Sequence, residues 1–235
     1  MDVEASLGEL LEGKESNVDL RQSLGQMVLM VVNSKGGLGD VGLVEGWGIA
    51  IFIVLSVPNC WLKCMLLDPY NQTDHPDCKS RPDSGLAAIT ELDPGYITGP
   101  LSSVWREWVD WCVEFGIEAD AIIAAPYDWR LSGPMLEERD LYFYRLKLTF
   151  EVARKRRGGP CLVFAHSLGN NVFRYFLEWL KLEIAPRVYQ KWLDDHIDTY
   201  FAVGAPFLGA VESVKATLSG LTFGLPISEL TFFVV

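Results

Sequence analysis

The stretch Gly158-Gly-Pro-Cys-Leu-Val-Phe-Ala-His-Ser-Leu-Gly-Asn-Asn171 constrains the fold more than any other part of the chain. Two glycines and a proline end whatever precedes it. Residues 161–165 are a short, continuous apolar run, which suits a strand buried on both faces of a parallel sheet. From Asn170 the period becomes helical, with Phe173, Phe176, Leu177 and Leu180 on one face. A serine at a tight turn lies between the two. Strand, sharp turn and helix are the setting a nucleophile elbow needs.

The physics of that turn selects the residue types around it. A strained apex leaves room only for small residues two positions before and two after. Here they are Ala165 and Gly169, where the usual pattern has glycine at both. The following helix aims its unpaired N–H groups at the reacting oxygen. Ser167 is therefore the candidate nucleophile, and the Leu168 N–H a candidate oxyanion donor.

The rest of the chain supplies an alternating pattern. Val104, Trp108, Trp111, Cys112 and Phe115 have helical spacing, and Gly116 stops that helix. Residues 119–125 read as a second buried strand. Pro134 opens the next helix, where Leu141, Tyr144, Leu148 and Val152 form one stripe. Residues 154–157 are basic, at the end of a helix whose dipole favours cations, and lipid phosphates are a second partner for them. Pro186 marks a break, and residues 200–203 form another strand-like run. This succession predicts an α/β domain with a parallel sheet, the serine lying at a strand's carboxyl end.

At 235 residues and 49% hydrophobic composition the chain is long enough for one substantial core or two small ones. Eight Trp and twelve Phe fit either an aromatic core or a protein that handles apolar material. A net charge of −11 argues against nucleic-acid binding through a basic face. Residues 1–26 are polar and acidic, without the basic start and apolar centre of a signal peptide. Gly37, Gly39 and Gly42 spell a dinucleotide-type glycine pattern after the apolar run 27–32, but no matching helix and acidic residue follow. The uncharged run 46–62 reads as a buried strand or, second, as a membrane anchor.

Of the five cysteines, Cys112 and Cys161 stand in apolar surroundings and read as buried thiols. Cys60, Cys64 and Cys78 cluster around the glycosylation sequon at Asn71. Sequon and cysteines together point to an oxidising, lumenal compartment. A zinc site from Cys60, Cys64, His75 and Cys78 competes, but its spacing is looser than structural zinc sites use. No metal or cofactor is expected.

Five blocks now occur in order: Cys78-Lys-Ser-Arg-Pro-Asp-Ser-Gly85, Asp93-Pro-Gly-Tyr96, Pro126-Tyr-Asp-Trp-Arg130, Ala165-His-Ser-Leu-Gly-Asn-Asn171 and Gly204-Ala-Pro-Phe-Leu-Gly209. Through them the chain resembles the lecithin:cholesterol acyltransferase family over residues 55–229. The resemblance implies an α/β-hydrolase fold with a lid, here about 58–80, bounded by a disulfide between Cys78 and Cys60 or Cys64. It implies an acyl-serine intermediate on Ser167, with Leu168 N–H as oxyanion donor. Asp128, Trp129, Arg130 and Gly169 belong to the matching motifs. The implied partners are a phospholipid donor, a sterol acceptor and a membrane surface, in the endoplasmic reticulum or microsomal membrane, on its lumenal side.

Residues 1–54 depart from the family pattern and are expected not to complete its first core strand. The family's catalytic Asp and His follow well after the Gly-Ala-Pro block, whereas Val235 ends this sequence. A shortened or mis-assembled product is the expectation, with 230–235 foreign and turnover weak. Asp194, Asp195, Asp198 and His196 are the only other triad candidates after Ser167, and His166 reads as local packing. Alternative functions are a phospholipase-type hydrolase, a non-catalytic fragment that binds lipid or a partner, and nucleotide binding near residues 27–45.

Overall fold

A computed structural model describes residues 28–31, 33–34, 36–37, 66–76, 81–82, 84–90 and 103–219. Its centre is a four-stranded sheet in the order β5-β1-β7-β8, with every pairing parallel. The strands are β1 (Val28–Val31), β5 (Ile122–Ala124), β7 (Cys161–His166) and β8 (Ile197–Val203). Two small ladders stand beside it. In one, β2 (Asn33–Ser34) pairs in parallel with β6 (Tyr127–Asp128); in the other, β3 (Gly36–Gly37) pairs antiparallel with β4 (Arg81–Pro82).

Seven helices are described: α1 (Ala87–Thr90), α2 (Arg106–Glu114), α3 (Gly133–Asp140), α4 (Tyr142–Arg157), α5 (Gly169–Glu183), α6 (Pro186–His196) and α7 (Val211–Ser219). They cover both faces of the sheet, and the alternation of β7 explains how. Cys161, Val163 and Ala165 face a layer built from Leu136, Phe143, Leu146, Phe150, Phe173, Phe176 and Leu180. Phe164, on the opposite face, joins Ile89, Trp105, Trp108, Val109 and Cys112, with Leu162 packed at its margin. A strand between two apolar layers must be apolar at every position, and this is why 161–165 reads as an unbroken run.

Several sequence expectations are met. Gly116 ends the turn after α2 with φ at 90°, a conformation that glycine adopts without penalty. Pro134 lies in the first turn of α3, and Pro186 opens α6 where the sequence suggested a simple break. Cys112 and Cys161 are free and buried, and burial pushes each thiol up to about 12.

Three expectations need correction. Residues 28–31 do complete a core strand: β1 sits between β5 and β7, aligning Val28 with Leu162 and Val31 with Ala165. Four apolar residues suffice for a central strand once both neighbours are present, whatever motif surrounds them. The run 119–125 is only half strand, because Ala119–Ala121 forms a 3₁₀ turn before β5. Arg157 pairs with both Glu118 and Asp120 at that turn. Finally, the stripe of Leu141, Tyr144, Leu148 and Val152 lies on the exposed side of α4; Tyr142, Phe143, Leu146, Phe150 and Ala153 face the core. Gly37, the first glycine of the dinucleotide-type pattern, lies in β3, opposite Arg81. Cys60, Cys64, Cys78, the run 46–62 and residues 230–235 lie outside the described residues. Among the described residues no helix is long and apolar enough to cross a membrane, and no cluster of metal-binding side chains occurs.

Candidate active site

β7 ends at His166 and α5 starts at Gly169, so the reversal between them takes two residues. Ser167 stands at the apex with φ at 49°. A non-glycine residue in the left-handed region costs of order 1–3 kcal/mol and persists only where the surroundings enforce it. The enforcing contacts are visible. Ser167 N–H donates to the Val203 carbonyl at the end of β8, at 2.9 Å. Asn170 is fully buried, and its Nδ2 donates to the carbonyls of Ser167 at 2.9 Å and Val203 at 3.1 Å. Tyr200, on β8, donates its hydroxyl to Asn170 Oδ1 at 2.6 Å. The turn is thus tied to the neighbouring strand by backbone and side chain together.

Ala165 and Gly169 are both buried, which agrees with the need for small residues beside the apex. Leu168 already has helical geometry, and its N–H has no acceptor among the described residues. It points from the first turn of a fifteen-residue helix, the end where partial positive charge accumulates.

His166 packs edge-on against Trp105, ring centroids 6.2 Å apart, and burial lowers its pKa. Burial thus disfavours its charged form, and the ring serves local packing. His196 lies at the other end of the sheet, because it precedes the first residue of β8 while Ser167 follows the last residue of β7. At about 3.3 Å per strand residue, the two are on the order of 20 Å apart. His196 stacks on Trp192 at 4.3 Å and its Nδ1 lies 2.7 Å from the Trp192 carbonyl. Asp194, Asp195 and Asp198 share that end, bonded to Gln190, Lys191 and Thr199. None of these joins Ser167 in a triad.

The Tyr127–Arg130 block does different work. Asp128 is buried and accepts from Arg130 Nε at 2.9 Å, Arg130 Nη2 at 2.7 Å and Arg139 Nη2 at 2.8 Å. Burial alone would raise the Asp128 pKa, but the two guanidinium groups outweigh it and hold the carboxyl below the usual carboxylate range. Arg130 reaches on to Asp74 at 3.1 Å, and Asp74 pairs with Arg81 of β4 at 2.6 Å. Gln72 adds two hydrogen bonds to Ser132. This network fastens the loop 66–76 to β6 and to the start of α3. Trp129 is half-buried against the adjoining core. Asp74 was not legible as a partner, since nothing in a polar loop marks which carboxylate turns inward. Asn170 carried a weak sign: a polar residue in the first turn of an otherwise apolar helix face.

Asn71 is exposed, and its Oδ1 accepts from Thr73 N–H at 3.0 Å and from the Thr73 hydroxyl at 2.7 Å.

The sequence profile of the lecithin:cholesterol acyltransferase family matches residues 46–234. A phospholipid–sterol O-acyltransferase of Arabidopsis thaliana is 78% identical over 178 residues, which are 76% of this chain and 28% of that protein. A phospholipid:diacylglycerol acyltransferase of Schizosaccharomyces pombe is 32% identical over 68% of this chain and 24% of its own length. The human lysosomal phospholipase A and acyltransferase is 28% identical over 72% of this chain and 40% of its own. The chain therefore spans well under half the length of these relatives. With the profile covering most of its residues and one relative at 78% identity, the chain belongs to the lecithin:cholesterol acyltransferase family.

Proposed function

We propose that this chain carries the nucleophile half of an α/β-hydrolase-type O-acyltransferase that moves a fatty acyl group from phospholipid to a sterol. The observation that carries the reading is Ser167 at positive φ between a parallel strand and a helix N-terminus. In this mechanism Ser167 Oγ attacks the ester carbonyl of the phospholipid. The developing oxyanion is met by Leu168 N–H, and the lysophospholipid alcohol leaves with the serine's proton. The sterol hydroxyl then attacks the acyl-serine and regenerates Ser167. Diacylglycerol or water in place of the sterol would give the reactions in the names of the yeast and lysosomal relatives. Neither His166 nor His196 is placed to take the serine's proton, so weak turnover is expected from the 235-residue chain alone.

The lid belongs to the same proposal. Leu67 and Asp74 form an antiparallel bridge, which closes the base of the loop 66–76. Residues opposite one another in such a bridge have Cα atoms about 5 Å apart. In sequence, Cys64 precedes this bridge by three residues and Cys78 follows it by four, which makes Cys64–Cys78 the pairing to test first and Cys60–Cys78 the alternative. Peptide mapping without reductant decides between them. A disulfide needs the oxidising lumen of the endoplasmic reticulum, the compartment we assign.

The test uses microsomes expressing the chain, and separately the Arabidopsis relative with its matching segment replaced by residues 46–234. Labelled phospholipid is supplied with sterol, with diacylglycerol or alone. Sterol ester from the chimera, lost on the order of 10⁶-fold with Ser167→Ala, is the expected result. Product formation that survives Ser167→Ala would sink the reading. Free fatty acid as the sole product would move it to hydrolysis.

A further inference from the structure

α4 hides one face and shows another of unusual make-up. Successive helix residues rotate by about 100°, so Tyr144, Lys155, Leu148, Val152, Arg145 and Arg156 fall within an arc of about 120°. All six are exposed. Leu141, at the joint with α3, extends the same arc and is 55% exposed. No Asp or Glu of α4 lies inside it. Glu151 stands just outside, held by Lys147 at 3.0 Å and by Trp192 Nε1 at 3.1 Å. The neighbouring cations are engaged elsewhere: Arg154 donates to the Gly158 carbonyl, and Arg157 pairs with Glu118 and Asp120. Lys155, Arg156 and Arg145 have no such partners among the described residues.

We infer that this face of α4 docks on an anionic lipid bilayer, with Leu141, Tyr144, Leu148 and Val152 at the headgroup boundary and the three cations among the phosphates. Charge separation argues for that occupant. The chain carries −11 overall, yet here presents three cations beside an apolar ridge. A second copy is a poor occupant, because two-fold pairing would set the cationic arcs against each other. A modest apolar ridge flanked by Lys and Arg, with tyrosine at its rim, is the composition of interfacial helices. The inference rests on the phospholipid reading only in preferring lipid to an acidic protein.

The test is flotation of the purified 235-residue chain with vesicles of phosphatidylcholine, or of equal parts phosphatidylcholine and phosphatidylserine. The mixed vesicles should bind it preferentially, and raised salt should weaken binding. Arg145→Gln with Lys155→Gln and Arg156→Gln should lower partitioning about a hundredfold, near fivefold per cation. Leu148→Ser with Val152→Ser should lower it about tenfold. Both sets lie on the exposed face, and unchanged circular dichroism checks folding. Equal binding by parent and both variants, no binding to mixed vesicles, or a dimer in sedimentation that either variant disperses would each overturn the proposal. The chain and the chimera with Ser167 intact separate the two readings: vesicle binding kept while neither shows acyl transfer in any setting discards the reaction and retains the surface.

Discussion

Asn170 ties the turn at Ser167 to β8 through its side chain. Its buried amide donates to two carbonyls and accepts a hydrogen bond from the Tyr200 hydroxyl. Asn170→Ala would remove three hydrogen bonds worth about 1 kcal/mol each and leave the half-buried Tyr200 hydroxyl without its acceptor, while the Ser167 and Val203 carbonyls each keep a backbone N–H. The expected loss is about 3 kcal/mol in urea unfolding, with Tyr200→Phe losing about 1 and the double variant little more than Asn170→Ala. Strictly additive losses would show that the bonds are not coupled. The serine was legible because its surroundings are local in sequence: a run, a small residue, a turn, a helix. The Asn170–Tyr200 bond joins residues thirty apart and became visible only with β8 set beside β7.

Elements show the same division. Helix ends were readable wherever one residue type dictates a backbone angle, as Gly116 and Pro134 do. The face of α4 was not, because its apolar residues occupy more than one stripe and only the packing of Phe143 and Phe150 against Phe176 chooses between them. A contact at the start of α3 is equally invisible in sequence. A Cβ on Gly133 would lie 2.7 Å from the Tyr175 ring, which stacks on Phe143 at 5.1 Å. Gly133→Ala is expected to destabilise the fold by about 1–3 kcal/mol through overpacking. Adding Tyr175→Leu should recover most of that loss. A melting temperature for Gly133→Ala equal to the parent's would mean that the ring swings aside freely.

At the scale of the molecule, the paired charges join pieces remote in sequence. Asp74 and Asp128 bind Arg81, Arg130 and Arg139, linking a loop, a short ladder and α3. Because the folded pKa of Asp128 is depressed, the unfolded chain takes up that proton at higher pH than the folded one. Its contribution is complete above about pH 4 and fades as pH falls through the lower folded value. Asp128→Asn should cost about 3 kcal/mol at neutral pH by removing the buried negative charge that both guanidinium groups share, leaving Arg130 its pair with Asp74 and Arg139 its pair with Asp140. Its stability should then decline less steeply in acid than the parent's. Parallel acid limbs in the two proteins would remove Asp128 from the account. The position of β1 belongs to this scale too. Its residues say only that the strand is apolar; that it takes the centre follows from β5 and β7 each offering it a parallel edge.

The backbone angle at Ser167 has a consequence for descent. Glycine adopts φ near 49° without penalty, so Ser167→Gly should melt higher than Ser167→Ala and at least as high as the parent. A lineage released from selection for catalysis would then drift toward glycine here and become sturdier as it fell silent. On the proposed reading, a serine kept at this turn is held against that slope by its use as nucleophile.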